Sequence, residues 1–519
     1  MFIRKKKNRS GSSSIVVIDK SRSTHRYLKV IGTSFDPEEI ENFYIQAQEW
    51  VKNYQGQQDL FVDQEKIRLE AQEKAEVARV LGNIDNILIN GTQQILTNVF
   101  KNIGFDKIND DIFKHLVTAR LCQPLSKSGT VDYLKSYFDE DVNLSKIYRY
   151  LDKLYDTQQE KIQQISVEHT RKILGGNIGL VFYDVTTLYF ETDYGDEFRV
   201  PGFSKDGKHS QPQIVLGLLV SVDGYPLSYS IFNGAQYEGR TMIPIVEEFV
   251  NRFHLEDFVI VADAGLMTKR NIELLESGGY KYIIGARIKA ESVEIKSWIL
   301  SLSKQDGNFY EHIKSDSSRL IVSYSSQRAK KDAYNRDKGV RRLQKSYSSG
   351  TITKENINKR GYNKFLDLDD NIKVSINNDK IKDDQLWDGL KGYITNTNLP
   401  AEQVYEQYRG LWVIEKAYRV TKGTLEMRPM FHFTPRRIEA HVCICFVAYK
   451  VYKELDRVLK IAGIEISVDK VINIAKTITT IKINMPLNKD KYTKTMLITN
   501  KHKLIAKLFD ERFWIWVSQ

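Results

Sequence analysis

Glu415 lies in the run Tyr408-Arg409-Gly410-Leu411-Trp412-Val413-Ile414-Glu415-Lys416-Ala417-Tyr418-Arg419-Val420-Thr421-Lys422. Pro400 stands where a helix can begin and Gly423 where it can end, so one helix is expected across this stretch. Steps of three, four and seven residues return to the same helical face. Tyr408, Leu411, Glu415, Arg419 and Lys422 then share a stripe. A carboxylate flanked at seven-residue spacing by Tyr and Lys is unusual for an apolar core face. It suits a metal ligand whose neighbours grip phosphates. On the helix alone, an amphipathic element with an ordinary solvated Glu is the better reading.

Two carboxylates upstream change that balance. Asp184 sits inside Ile178-Gly179-Leu180-Val181-Phe182-Tyr183-Asp184-Val185-Thr186-Thr187-Leu188-Tyr189-Phe190, a β-branched and aromatic run that reads as a buried central strand. A charge in such a strand is costly unless it is paired or binds a cation. Asp263 ends the short apolar run Phe258-Val259-Ile260-Val261-Ala262, where ligands collect outside the carboxyl ends of α/β strands. Each acid alone is more often a cap or turn residue. Two strand carboxylates and one on a later helix form a more specific pattern, suited to holding two divalent ions against a phosphodiester.

The chemistry accounts for the residue types. Phosphoryl transfer asks for positioning and for neutralised phosphate charge. Hard Mg²⁺ binds through one or two carboxylates with phosphate and water completing its shell. Two such ions, about 3.5–4 Å apart, stabilise the attacking and leaving oxygens together. Three acids suffice.

The motifs resemble those of the insertion-sequence DDE transposases, specifically the large bacterial group known as the insertion sequence four superfamily, with a β-strand insertion before the third acid. Asp184, Asp263 and Glu415 match that family's three acids. Its signature of Tyr, two residues, Arg, three residues, Glu, six residues and Lys maps onto Tyr408, Leu411, Glu415 and Lys422. The chain departs from it at Leu411, where Arg409 and Arg419 are near enough to substitute. Further matching text is Gly202-Phe203-Ser204-Lys205-Asp206, Gln213, Asp388-Gly389-Leu390, Thr395-Asn396, Arg428-Pro429 and His432. The resemblance implies Mg²⁺ (Mn²⁺ as a substitute), two ions, held by the three acids, with Tyr408, Lys422, Arg409 and Arg419 on DNA phosphate.

Composition agrees with a DNA-acting protein. The 519 residues carry a net charge of +11. Residues 1–30 hold nine Lys or Arg against one Asp, Arg328 to Lys345 eight against two, and Lys482 to Lys507 seven against one. Such clusters are the footprint of phosphate-backbone binding, although any single one can be a solvated charge run. Cys122, Cys443 and Cys445 do not form a disulfide framework, so a reducing, cytoplasmic setting is expected. His441-Val442-Cys443-Ile444-Cys445 falls in an apolar helical run and reads as core, not as a zinc site. No apolar stretch reaches the ~18 residues of a membrane span.

The expected fold class is α/β: an RNase H-like mixed-sheet core, interrupted by a β-rich insertion, with an N-terminal helical domain. Its parts are a basic tail and β-hairpin at 1–36, a helical DNA-binding domain at 37–176, core at 177–286, insertion at 287–398, core with the Glu415 helix at 399–455, and a helical region at 456–519. Val142–Leu151 has the look of a helix-turn-helix second helix with Ser145 as cap, though such pairs are more often plain packing. Asp223-Gly224 predicts a tight hairpin turn. Glu191, Asp193 and Asp206 read as loop or substrate-contact residues. The expected function is a transposase that binds terminal inverted repeats, cleaves DNA as an endonuclease and transfers the freed strand to target DNA, as a homodimer on paired ends. A non-catalytic end-binding protein and an RNase H-like nuclease are the alternatives. The aromatic cluster Phe513-Trp514-Ile515-Trp516 is either a partner surface or packing onto the chain's own core.

Overall fold

A run of β-branched and aromatic residues must be covered on both faces, and Leu180–Tyr189 meets this requirement as an inner strand of a nine-stranded mixed sheet. In the computed structural model, residues 1–20, 24–54, 60–204, 206–255, 257–353, 356–358, 361–369, 373–428, 430–485 and 490–508 are described. They divide into two units, 1–87 with 481–493, and 88–480 with the described residues from 494 onward.

The first unit opens with an antiparallel sheet of Phe2–Lys7, Ser13–Asp19 and Arg26–Ser34. The central strand buries Ile15 and Val17 against Ile40 and Ala47 of the helix Pro37–Tyr54. The basic start is therefore a strand, not a tail. Lys5, Lys6 and Lys7 pair with Ile15, Ser14 and Ser13. A lysine run conceals strand periodicity, yet lysines suit an exposed edge strand.

In the second unit the sheet runs Phe309–Ile313, Arg319–Tyr324, Leu390–Thr395, Lys281–Ala286, Val259–Ala262, Leu180–Tyr189, Pro212–Ser221 and Val200–Pro201, with Pro226–Asn233 also paired to Pro212–Ser221. Val259–Ala262 is parallel to both its neighbours. The hairpin Pro212–Ser221/Pro226–Asn233 turns at Asp223-Gly224, with Gly224 at φ +82°. The helix Met242–Phe253 precedes Val259–Ala262, and Lys269–Ser277 leads into Lys281–Ala286.

Helices Gly91–Ile103, Asp111–Cys122, Leu144–Thr157 and Gln159–Ile173 pack around Pro435–Ile461, which opens with Pro at its first turn. That long helix buries His441, Cys443 and Cys445 as expected of core. Since the helices from Gly91 to Ile173 share this core, the boundary expected at 176 falls inside one unit. Leu144–Thr157 is capped by Asn143, whose side chain accepts from Lys146 N, so Ser145 is not the cap.

The segment 287–398 is not purely β-rich. It contains the helices Val293–Ser301 and Ser326–Ser348, the latter being the basic run, capped by Ser325. The last region is not purely helical, since Thr479–Asn484 and Lys491–Met496 are strands. The cluster Phe513–Trp516 lies outside the described residues.

Charge is buried under the sheet as well. Lys450 is fully buried, donating to Ser166 O at 2.9 Å, with Tyr225 beneath its ammonium at 4.4 Å. Glu454, one turn on, accepts from Arg457 at 2.6 and 2.9 Å and from the Tyr225 hydroxyl at 2.9 Å. Burial works to raise the Glu454 carboxyl, and Arg457 and Tyr225 outweigh it, leaving it below the ordinary glutamate value. A lowered folded value gives stability that is full above the unfolded pKa of about 4.3 and is lost as pH falls through the folded value. Glu454→Ala, measured by urea unfolding at pH 7, is expected to cost about 3 kcal/mol, with the difference from wild type shrinking below pH 4.

Candidate functional site

The parallel register that pairs Tyr183 with Ala262 makes Asp184 and Asp263 the next residues on adjacent strands. Asp184 is half-buried within its strand, and Asp263 stands exposed just past the end of its own. Glu415 reaches the same place from a different element. All three line one cleft of about 380 Å³, together with Tyr408 and Arg409.

The helix expected to carry Tyr408, Glu415 and Lys422 as one stripe is broken. It runs Ala401–Arg409, turns at Gly410, resumes as Trp412–Arg419 and ends in a wider π turn, Val420–Thr424. The break has a steric reason. A Cβ on Gly410 would meet Phe182 Cζ at 2.3 Å, so only glycine lets the chain lie this close to the Asp184 strand. Gly285 plays the same part, since a Cβ there would meet the Tyr408 hydroxyl at 2.5 Å.

Consequently Tyr408 is buried, and its hydroxyl donates to Asp263 Oδ1 at 2.9 Å. Burial first, then the charge of Asp263, holds the phenol well above its ordinary value. It keeps its proton and acts as a donor. Tyr418 lies beneath Asp184, donating to its backbone oxygen at 2.7 Å.

Arg419 and Lys422 are absent from the cleft lining. Arg419 is exposed, and Arg409 pairs with Glu406 at 2.9 Å. Lys422 donates to Asp206 Oδ2 at 3.2 Å, and Arg428 pairs with the same oxygen. Burial works to raise Asp206, while Arg428 and Lys422 pull it below the usual range. Asp206 is thus a partner for cations, and Glu191 and Asp193 remain exposed in their loop.

Two cations that spacing did not mark complete the cleft. Lys391, on Leu390–Thr395, places its ammonium 4.3 Å from the Tyr408 ring centre. Its pKa is lowered by burial and by Arg328, with Asp263 and Glu415 opposing. Arg328, the first cation of the basic helix, lines the cleft too. The signal in the sequence was Asp388-Gly389-Leu390: Asp388 binds Arg336 of that helix through both carboxylate oxygens, and Gly389 at φ +79° turns the chain into the strand. Among the described residues, no three His, Cys, Asp or Glu side chains close on one point as a ready metal ligand set.

Residues 176–450 match the family model described as Transposase DDE domain. The chain belongs to this family. No curated protein matches the transposase closely. Among solved structures, the piggyBac transposase synaptic complex with hairpin DNA aligns at 11% identity over 74% of this transposase and 76% of that chain, with a TM-score of 0.38. The Mos1 transposase paired-end complex with left transposon end aligns at 9% identity over 30% of this transposase and 53% of that chain, with a TM-score of 0.16. Both scores are low, and membership rests on the sequence match.

Gly410→Ala tests the steric account of the break. It is expected to lower stability by about 1–3 kcal/mol, as overpacking does, measured by denaturant unfolding; unchanged stability would contradict the steric account.

Proposed function

We propose that this transposase binds the terminal inverted repeats of an insertion sequence, cuts DNA at the element's ends and joins the freed strand to target DNA. The observation that carries this reading is one cleft lined by Asp184, Asp263 and Glu415, from two parallel strands and a separate helix, in a chain of this family. The parallel pair beside a meander of antiparallel strands supports an RNase H-like core.

The acids suit a hard divalent cation, Mg²⁺ or Mn²⁺, because the donors are all carboxylate oxygens and two are neighbours in register. Asp184, Asp263 and Glu415 would hold two such ions, which supply charge neutralisation on the phosphate and activation of the attacking oxygen. Tyr408 orients Asp263 through its hydroxyl. Lys391, Arg328 and Arg409 set positive charge on the cleft wall, where phosphate oxygens gather negative charge in the transition state. In the first step water adds to phosphorus and the P–O3′ bond breaks, leaving a 3′-hydroxyl and a 5′-phosphate. In the second, that 3′-hydroxyl adds to a phosphodiester of the target strand and displaces its 3′-oxygen. Two ends must be processed together, so a homodimer on paired ends is the assembly proposed.

Asp184→Ala, Asp263→Ala and Glu415→Ala are each expected to abolish cleavage in Mg²⁺ while a gel-shift assay still shows end binding. Near wild-type cutting by any one variant removes that residue from the assignment. Binding itself is expected to fall by roughly 10³ from 50 to 200 mM salt if six or more phosphates are contacted; an affinity flat across that range contradicts the DNA-backbone reading.

A further inference from the structure

The matching text Arg428 and His432 has no part in the acidic cleft. Both residues line a second cavity, of about 320 Å³, with Arg120, Lys127, Tyr148 and His441. That volume is in the range of small-ligand sites. Its floor is unusual. Arg120 and Lys127 are 7% and 5% exposed, yet among the described residues neither has a carboxylate within ion-pairing distance, the exposed Glu426 on the lining included.

Buried charges are normally paired. Here, among the described residues, the hydrogen-bond partner of Lys127 Nζ is His441 Nδ1, at 3.3 Å, and Arg120 donates to Leu125 O at 3.0 Å. Burial, then Arg120, pulls Lys127 down to about 7. The His432 and His441 rings lie 5.1 Å apart, and burial, with the nearby cations, lowers both. Both rings are neutral at pH 7 and leave the charge of the cavity to Arg120, Lys127 and Arg428. Among the described residues, the cavity thus gathers two buried basic side chains with no carboxylate partner, beside Arg428, which Asp206 pairs.

The position of the cavity says which anion suits it. Arg428 is common to the cavity and to the Asp206 ion pair, and Asp206 also holds Lys422. The family's signature lysine is thereby linked through one carboxylate to the cavity. Tyr148, on the wall, carries Arg437 over its ring at 4.5 Å, and Arg437 is itself paired with Asp152 at 3.4 Å, so the uncompensated charge of the cavity is that of its floor.

We propose that this cavity is a phosphate-binding site, with Lys127 and Arg120 as its buried cations, and that it takes a backbone phosphate of a DNA strand. The inference rests on the reading that the chain acts on DNA, but not on the acidic residues.

The test uses the full chain in EDTA, so that binding is read without cleavage. The probes are inorganic phosphate alone and a fluorescent random-sequence duplex, each with wild type, Lys127→Met and Asp263→Ala. Lys127→Met replaces a buried amine that has no carboxylate partner among the described residues with an apolar side chain of similar length, and is expected to unfold at a temperature no lower than wild type. Phosphate is expected to raise the melting temperature of wild type and Asp263→Ala, but not that of Lys127→Met. Duplex affinity is expected to fall about tenfold in Lys127→Met, the size of one charged hydrogen bond, and the salt slope to fall by about one.

Unchanged affinity and slope in folded Lys127→Met overturn the proposal. A Lys127-dependent phosphate response with unchanged duplex binding also overturns it, since the site then serves free phosphate. Should Lys127→Met fail to fold, Arg120→Met is judged by the same readings. A wild-type chain that binds no duplex overturns the DNA reading itself, and so is distinguishable from failure of this site.

Discussion

Two carboxylates on adjacent parallel strands repel one another, and much of the molecule answers to that repulsion. Parallel neighbours lie about 4.8 Å apart, so Asp184 and Asp263, next in register, are like charges on adjacent strands, screened in part because Asp263 is exposed. A sheet optimised only for stability would place an apolar residue at one of them. Instead the cleft supplies a Tyr408 hydroxyl to Asp263 and brings Lys391 and Arg328 alongside. On the proposed reading the remaining negative charge is what a divalent cation is drawn to, and part of fold stability is given up for that attraction.

The elements around the pair follow from this need. Gly410 and Gly285 remove side chains where the helix must press against the strands. The basic helix Ser326–Ser348 delivers Arg328 to the cleft while Arg336 is held internally by Asp388. A run of cations that looks like one uniform surface is thus divided among a cleft residue, a structural ion pair and exposed positions.

Much of this was legible in the sequence. A β-branched run with an acid in its middle fits little besides an inner strand that handles charge, and Leu180–Tyr189 is such a strand. The Asp223-Gly224 turn, the short strand before Asp263 and the apolar helix around Cys443 could be read because local periodicity and turn chemistry determine them. What could not be read depends on contacts far apart in the chain. The break at Gly410 is set by Phe182, more than two hundred residues earlier. Lys391 is placed by its approach to Tyr408, and Lys422 by its pairing with Asp206, both far off in the sequence. The strand Phe2–Lys7 was hidden because lysines mask alternation. Helix amphipathicity does not say which core a helix joins, so the packing of Gly91–Ile173 with Pro435–Ile461 could not be read either.

The central claim is that Asp263 is a metal ligand at the reacting phosphate, and exchange of its donor atom tests this most directly. A thiolate is a poor ligand for Mg²⁺, whereas Mn²⁺ accepts softer donors more readily. Asp263→Cys should therefore bind DNA carrying the element's ends, fail to cut it in Mg²⁺, and recover measurable cutting in Mn²⁺. Wild-type cutting in Mg²⁺, or equal inactivity in both ions with DNA still bound, would contradict the account.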